Sequence, residues 1–374
     1  MLSMDTDTPH PEENSGASVR LDALRKSFGF VRAVNDVSLD IPAGSFVSFL
    51  GPSGSGKTTT LNLLAGFITP EAGEILFDGA PISHQPTHKR GIGMVFQSYA
   101  LFPHMTVFDN VAFPLKMRSE MEKSQMRKRV AETLAMVQLA GYQDRYPRQL
   151  SGGQQQRVAM ARALVAQPRL LLMDEPLGAL DKKLRDQMQI EIKNIHRRVG
   201  STFVYVTHDQ NEALTMSDFI VVMRDGAIAQ AGTPQELYDF PADEFVADFL
   251  GGANLIKGRI VSGDAKRQQI VLDDGQNVVA PTTGMPLQAG TTASLFLRPE
   301  GVSLVPLERS KISAEVVEIV YMGSAFRVIA SVSQQVISAM VSREDIAGLQ
   351  IGSKVGFNWE EERSRVFASE AGAP

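Results

Sequence analysis

The chain has 374 residues, 43% hydrophobic and 21% charged, with a formal net charge of −5 and no cysteine. At about 150 residues per domain, that is room for two domains with a sizeable core, and the composition excludes wholesale disorder. The absence of thiols excludes disulfide scaffolds, thiolate metal sites and cysteine nucleophiles, and the acidic balance argues against a general nucleic-acid coat protein, though not against a local basic patch; no nucleic-acid partner is expected.

Met1 to Ala17 is polar and acidic, carries Pro9 and Pro11 and has no apolar stretch, so a disordered tail and not a secretory signal is expected over 1–17. Val19 to Leu24 has strand composition, and Ala33 to Ile41 alternates as a half-buried strand does. After the turn Pro42-Ala43-Gly44, Phe46 to Leu50 reads as a buried strand, and a glycine-rich loop leads into a helix over Thr58 to Ala65. Glu74 to Phe77 and Asp78-Gly79 predict a strand and a turn. Val107 to Leu139 turns helical, and its basic run Lys123, Arg127, Lys128, Arg129 predicts a solvated face. A helix from Gln154 to Val165 stops before Pro168. Leu170 to Met173 and Phe203 to Val206 are further buried strands. Strands alternating with helices predict a mainly parallel sheet covered on both faces. The character changes near residue 240. After a helical Phe245 to Leu250 and the break at Gly251-Gly252 come short strands at Lys257–Val261, Gln269–Leu272, Ser294–Leu297, Ser313–Tyr321, Phe326–Ala330 and Val336–Met340. They predict an all-β module of one or two small barrels. No run approaches the ~18 consecutive apolar residues of a spanning helix, which points to a cytoplasmic chain that reaches a membrane only through a partner.

Gly51-Pro52-Ser53-Gly54-Ser55-Gly56-Lys57-Thr58 fits the phosphate-loop pattern G-x-x-x-x-G-K-[ST], with an apolar strand before it and a helix after it. Glycines let successive backbone N–H groups turn toward phosphate oxygens, and the helix points its positive end at the same anion. Lys57 would reach the β- and γ-phosphates of ATP, and the Thr58 hydroxyl would sit on Mg²⁺. The apolar Leu170 to Met173 ends in Asp174-Glu175, which places carboxylates at the C-terminal tip of a strand, where open α/β sheets bind ligands. Asp174 would hold Mg²⁺ through water, and Glu175 would polarise a water in line with the γ-phosphorus.

With these elements, Leu150-Ser151-Gly152-Gly153-Gln154-Gln155-Gln156-Arg157 resembles the signature sequence of ATP-binding-cassette (ABC) ATPases. Gln97, in Met94-Val95-Phe96-Gln97, resembles that family's Q-loop. Gly178-Ala179-Leu180-Asp181 resembles its D-loop, Val206-Thr207-His208-Asp209 its switch-histidine region, and Phe28 its adenine-stacking aromatic. The resemblance implies an α/β P-loop NTPase with a helical signature subdomain. It implies nucleotide contacts from Phe28, Gly51, Ser53, Gly54, Ser55, Gly56, Lys57, Thr58 and Thr59, Mg²⁺ contacts from Thr58, Gln97 and Asp174, and catalytic roles for Glu175, His208 and Gln97. It also implies a head-to-tail homodimer. There Ser151, Gly152, Gly153 and Gln154 of one copy face the γ-phosphate held by Lys57 of the other, Asp181 acts across the interface, and His208 senses the γ-phosphate. Gly178 stands where the family more often has serine, and Phe28 where it more often has tyrosine.

Leu297-Arg298-Pro299-Glu300 resembles a motif of the transport-associated OB domain of importer ATPases, which implies an ATPase domain over 18–240 and an OB-like, barrel-like domain over 241–374. The aromatic segment Ser98 to Met117, with Tyr99, Phe102, Phe108 and Phe113, then corresponds to a groove for a cytoplasmic helix of a membrane subunit. The resemblance is to the importer cluster for sugars, polyamines, ferric ion and sulfate. Lys182 to Gln189 and Leu214 to Asp218 look most like its spermidine/putrescine group. It implies two permease subunits, a solute-binding protein acting through them, and a peripheral position on the cytoplasmic face of the inner membrane. The cargo stays open among polyamines, ferric ion, sugars and opines. A soluble ABC ATPase acting on ribosomes or DNA is the rival of another class; it usually carries two cassettes, and this chain has one phosphate loop.

Overall fold

A computed structural model describes residues 16–118, 121–178, 180–282 and 285–369. The expected tail lies outside these residues except at its end. There Gly16 and Ala17 donate to the carbonyls of Gly200 and Arg169, and Ala17 is buried, so both belong with the folded chain. The described residues form two compact units that divide between Pro234 and Gln235.

In the first unit the strands and helices run β1 (Val19–Phe28), β2 (Val31–Ile41), β3 (Phe46–Leu50), α1 (Lys57–Ala65), β4 (Ala72–Phe77), β5 (Ala80–Pro81), β6 (Gly93–Val95), α2 (Val107–Arg118), α3 (Lys123–Met136), α4 (Gly152–Leu164), β7 (Leu170–Asp174), α5 (Lys182–Val199), β8 (Thr202–Thr207), α6 (Gln210–Met216), β9 (Phe219–Arg224) and β10 (Ala227–Gly232). An antiparallel sheet has the order β2-β1-β4-β5. A second sheet has the order β10-β9-β3-β8-β7-β6, in which β9, β3, β8, β7 and β6 run parallel. The parallel strands read as unbroken apolar runs because both faces are covered. Phe46, Leu171, Met173, Phe203 and Tyr205 pack into one cluster with α2 to α5. Their neighbours Val47, Phe49, Leu170, Leu172, Val204 and Val206 pack into the other with α1 and the antiparallel sheet. The period of two along each strand sorts the side chains to the two faces. All five parallel strands end at the same edge, so the loops that leave β3, β7 and β8 meet there.

The single helical stretch expected over Val107 to Leu139 is two helices, α2 and α3, and residues 121–122 before α3 are not helical. On α3, Lys123, Arg127 and Lys128 are exposed as expected, whereas Arg129 is half-buried and donates from Nε to the Val165 carbonyl at 3.1 Å. The helix expected from Gln154 begins earlier, at Gly152, because the Ser151 side chain caps it.

The division falls after the first residue of α7 (Pro234–Asp239), and the second unit continues with α8 (Glu244–Phe249), β11 (Asn254–Gly263), β12 (Arg267–Val271), β13 (Asn277–Pro281), β14 (Thr292–Leu297), β15 (Val302–Val305), β16 (Ile312–Tyr321), β17 (Phe326–Val332), β18 (Gln335–Val341), β19 (Lys354–Trp359) and β20 (Arg365–Ala368). Two five-stranded sheets, β13-β12-β11-β14-β20 and β15-β19-β16-β17-β18, share one apolar core. The Leu297-Arg298-Pro299-Glu300 motif works here as a clasp. Arg298 is buried and donates to the carbonyls of Tyr238, Ala247 and Gly252, while its guanidinium stacks 4.0 Å from the Tyr238 ring centre. Tyr238 in turn donates to Glu300 at 2.6 Å. The end of β14 thus ties down both short helices and the glycine break after them.

Candidate functional site

The loop after β3 curls because its glycines adopt backbone that other residues avoid. Gly54 has φ +81° and Gly56 φ +100°. A Cβ on Gly56 would lie 2.4 Å from the Ala33 carbonyl oxygen, so β2 also presses against the loop and leaves no room for a side chain. Gly56 gives α1 no side-chain cap, and the first N–H groups of the helix stay open at the loop. Ser55 is buried with an Oγ that has no hydrogen-bond partner, while Ser53 is exposed and Thr59 half-buried. Lys57 is buried and donates from Nζ to the carbonyls of Gly51 at 2.8 Å and Pro52 at 2.9 Å. Burial holds its amine below the usual lysine range, and the carboxylates of Glu175 and Asp174 oppose that shift.

The end of β7 supplies the facing groups. Asp174 accepts from Thr58 Oγ1 at 3.1 Å. Burial pushes its carboxyl above the usual range; the Thr58 hydrogen bond and Lys57 pull it back, and Glu175 pushes it further up. Glu175, the next residue, has φ +41°, a strained backbone for a side chain of this size. Its N–H donates to the Val206 carbonyl at 3.0 Å, which fastens the turn to β8. Its carboxylate is held from two sides, by Gln97 Nε2 at 3.3 Å and by His208 Nδ1 at 3.2 Å. Gln97 follows β6 and His208 follows β8, so two parallel strands each deliver one group to the carboxylate that follows the strand between them, β7.

Both hard-oxygen donors suited to Mg²⁺, the Thr58 hydroxyl and the Asp174 carboxylate, lie side by side beside the phosphate loop, so these residues fit the ion. Among the described residues no three His, Asp or Glu groups converge as a self-sufficient metal site. A cation here would need phosphate oxygens to complete its shell.

The signature residues lie elsewhere. Ser151 starts α4, where its hydroxyl accepts from Gln154 N at 3.4 Å and its N–H donates to Gln154 Oε1 at 3.0 Å. Ser151 and Gly152 are exposed, and Gly153 is packed against Leu184. Among the described residues no hydrogen bond links this cap to the phosphate loop. Asp181 caps α5 by accepting from Leu184 N at 3.0 Å; Ala179 lies outside the described residues. Phe28, 52% exposed at the end of β1, has Lys26 Nζ 5.7 Å from its ring centre. It sits on the hairpin whose second strand meets Gly56 at Ala33.

The sequence reading gave no role to a polar group behind His208, formed by Arg185, Tyr205, Thr207, Asp209 and Glu212. No local spacing signalled it, because Arg185 and Asp209 lie 24 residues apart. It also gave no role to Arg162 of α4, which is buried and donates to the carbonyls of Tyr99 at 2.8 Å and Ala100 at 2.7 Å, holding the loop that follows Gln97.

The chain matches the ABC transporter family over residues 34–178 and the TOBE domain family over residues 295–367. It is 45% identical to the spermidine/putrescine import ATP-binding protein PotA of Rubrobacter xylanophilus, over 96% of each chain. It is 44% identical to PotA of Haemophilus influenzae, over 92% of this chain and 94% of that one. Among solved structures it is similar to the dimeric bacterial ABC transporter cassette MJ0796, with a TM-score of 0.53 and 37% identity over 58% of this chain and 98% of that one. It is likewise similar to cbiO1 of Clostridium perfringens, part of an ABC transporter complex, with a TM-score of 0.56 and 29% identity over 59% of this chain and 90% of that one. With its phosphate loop, signature helix and TOBE domain, the chain belongs to the ABC transporter family as an ATP-binding subunit of an import system.

Proposed function

We propose that this chain hydrolyses ATP to power polyamine import, working as a head-to-tail homodimer on the cytoplasmic face of the inner membrane beneath two permease subunits that a solute-binding protein supplies. The observation that carries the reading is the convergence of Gln97 and His208 on Glu175, one residue from the Thr58–Asp174 pair and beside Lys57. Residues 18–240 are assigned to the ATPase and 241–374 to the transport-associated OB domain.

The chemistry follows from the charges. Lys57 exchanges the Gly51 and Pro52 carbonyls for phosphate oxygens, which are stronger acceptors. The open N–H groups of the loop and of α1 bind the same oxygens. Thr58 and Asp174 would hold Mg²⁺, with Gln97 nearby, and the ion would offset phosphate charge as the leaving group departs. Glu175 orients and polarises a water for attack on the γ-phosphorus; the water oxygen bonds to phosphorus as the β–γ bridging bond breaks. His208 and Gln97 keep the Glu175 carboxylate aimed, and the strained backbone at Glu175 fixes its height above β7. Ser151 and the amides of Gly152 and Gly153, from the second copy, close the site on its open side, and Asp181 docks across the same interface. Phe28 stacks on adenine.

The permease groove fits a cavity of 370 Å³ lined by Met94, Phe96, Ala100, Phe102, Phe113 and Ala166. Of the expected aromatics, Phe102 and Phe113 line it, with ring centres 4.8 Å apart, while Tyr99 is buried in the core and Phe108 lines a different cavity.

Uptake of labelled putrescine and spermidine by cells lacking this chain tests the reading. The parental chain should restore uptake and Glu175→Gln should not. Normal polyamine uptake in the deletion strain, with loss of another solute's uptake, would reassign the cargo.

A further inference from the structure

The polar group behind His208 joins the turn that holds Asp181 to the turn that holds His208. Arg185, in the first turns of α5, donates from Nη1 to Asp209 Oδ2 at 3.1 Å and from Nη2 to the Leu180 carbonyl at 3.1 Å. Its Nε lies 3.8 Å from Glu212 Oε1. Leu180 immediately precedes Asp181, and Asp209 immediately follows His208. One guanidinium therefore holds the neighbour of each.

Both ends of the bridge are fixed. Asp209 caps α6, accepting from Asn211 N at 2.8 Å and Glu212 N at 3.1 Å, and its own N–H donates to Thr207 Oγ1 at 3.0 Å. Glu212 is 3% exposed and accepts from the Tyr205 hydroxyl at 2.6 Å and from Thr207 Oγ1 at 2.7 Å. Tyr205 and Thr207 lie on β8, the strand that ends at His208. A planar guanidinium holds two acceptors at a set spacing, which an ammonium on a flexible stem does not. Moving the Asp181 turn must then move the His208 turn or break one of the two hydrogen bonds, that to the Leu180 carbonyl or that to the Asp209 carboxylate.

We propose that Arg185 is a positioning residue for hydrolysis: by gripping the Leu180 carbonyl and the Asp209 carboxylate together, it makes the docking of Asp181 on a second copy and the placement of His208 beside Glu175 one motion. The inference rests on the head-to-tail dimer proposed above. Among the described residues, neither Arg185 nor Asp209 bonds to the phosphate loop, so Arg185 sets turnover and not nucleotide affinity.

The test uses the full chain with Arg185→Met and Arg185→Lys. Equilibrium binding of a fluorescent ATP analogue reports the phosphate site, and steady-state hydrolysis gives kcat and KM. In Arg185→Met, affinity and KM should stay within about threefold while kcat falls on the order of 10- to 100-fold, the scale of a small misplacement of a reacting group. Arg185→Lys keeps the charge but not the fork, so its kcat should still fall at least about fivefold. If Arg185→Met fails to fold or to bind, Arg185→Lys decides alone. A parental kcat in Arg185→Lys, or loss of nucleotide binding in both variants, overturns the proposal. A parental chain that shows neither ATP-dependent dimer nor hydrolysis would overturn the dimer reading itself. A parental chain that does both, beside an Arg185→Met chain of equal kcat, would overturn this inference alone.

Discussion

Two helix N-termini in the first unit begin in opposite ways. α1 starts at Gly56, in left-handed backbone, with no side-chain cap. α4 starts at Ser151, whose hydroxyl and N–H are both taken up by Gln154 in a closed capping box. α5 and α6 follow α4, each capped by its own aspartate. An uncapped N-terminus leaves its N–H groups to water or to a ligand; a capped one is satisfied within its own chain. The open N–H groups of α1 lie at the phosphate loop, where the proposed function sets a phosphate against them. The signature cap is complete in the free chain and exposed, and the proposed dimer would set it against an anion that another copy brings.

That contrast can be broken at either end. Gly56→Val should have the largest effect. A side chain there is strained by the backbone and collides with β2, so the loop must move, at a cost of about 3 kcal/mol or more, with ATP binding lost; thermal melts and nucleotide titration would show both. Lys57→Ala leaves the fold but removes the main counter-charge for the phosphates, and ATP affinity should fall about 100-fold or more. Near-normal affinity by titration would show that the loop is not the binding site. Ser151→Ala removes a cap that is already satisfied within its own chain. It should cost about 1 kcal/mol of stability in a melt and leave single-chain ATP affinity unchanged. A large loss of affinity there would place the cap in the same chain's nucleotide site.

The smallest effect concerns pH. Burial raises the Glu212 carboxyl above its ordinary value of 4.5, against the pull of Tyr205 and Thr207. The folded chain therefore holds this proton where the unfolded chain has released it. The contribution to stability is complete below the unfolded value and is lost as pH rises through the folded one. In Glu212→Gln, melts from about pH 4.5 upward should fall less with pH than in the parent. An unchanged slope would show that Glu212 adds nothing to the pH dependence.

Much of this was legible because the chemistry is contiguous. Gly51 to Thr58 carries its own glycines, its lysine and its flanking strand and helix, and Leu170 to Glu175 carries a buried strand and the carboxylates at its tip. Ser151 was legible as a helix start, but two glycines hid the fact that the helix begins at Gly152 and not at Gln154. α5 was missed because its charged residues mask an apolar stripe of Leu184, Met188, Ile192 and Ile195. Without that helix, Arg185 had no face to point from, and Asp209, 24 residues on, was not in view. In the second unit, Gly356 and Asn358 break the apolar pattern along β19, and no local pattern announces that Arg298 reaches back to Tyr238.

The head-to-tail use of the two N-termini is the central claim, and Glu175→Gln exposes it most directly. Gln keeps the shape of Glu175 and removes the carboxylate that polarises water, a change worth about 10²–10⁴ in rate, while Lys57, Thr58 and Asp174 still bind the nucleotide. Chromatography with light scattering, with and without Mg-ATP, should show an ATP-dependent dimer of this variant holding two nucleotides that it does not turn over. Adding Ser151→Arg should abolish that dimer by blocking the facing anion site. A dimer indifferent to Ser151→Arg, or a Glu175→Gln chain that hydrolyses ATP at the parental rate, would contradict the account.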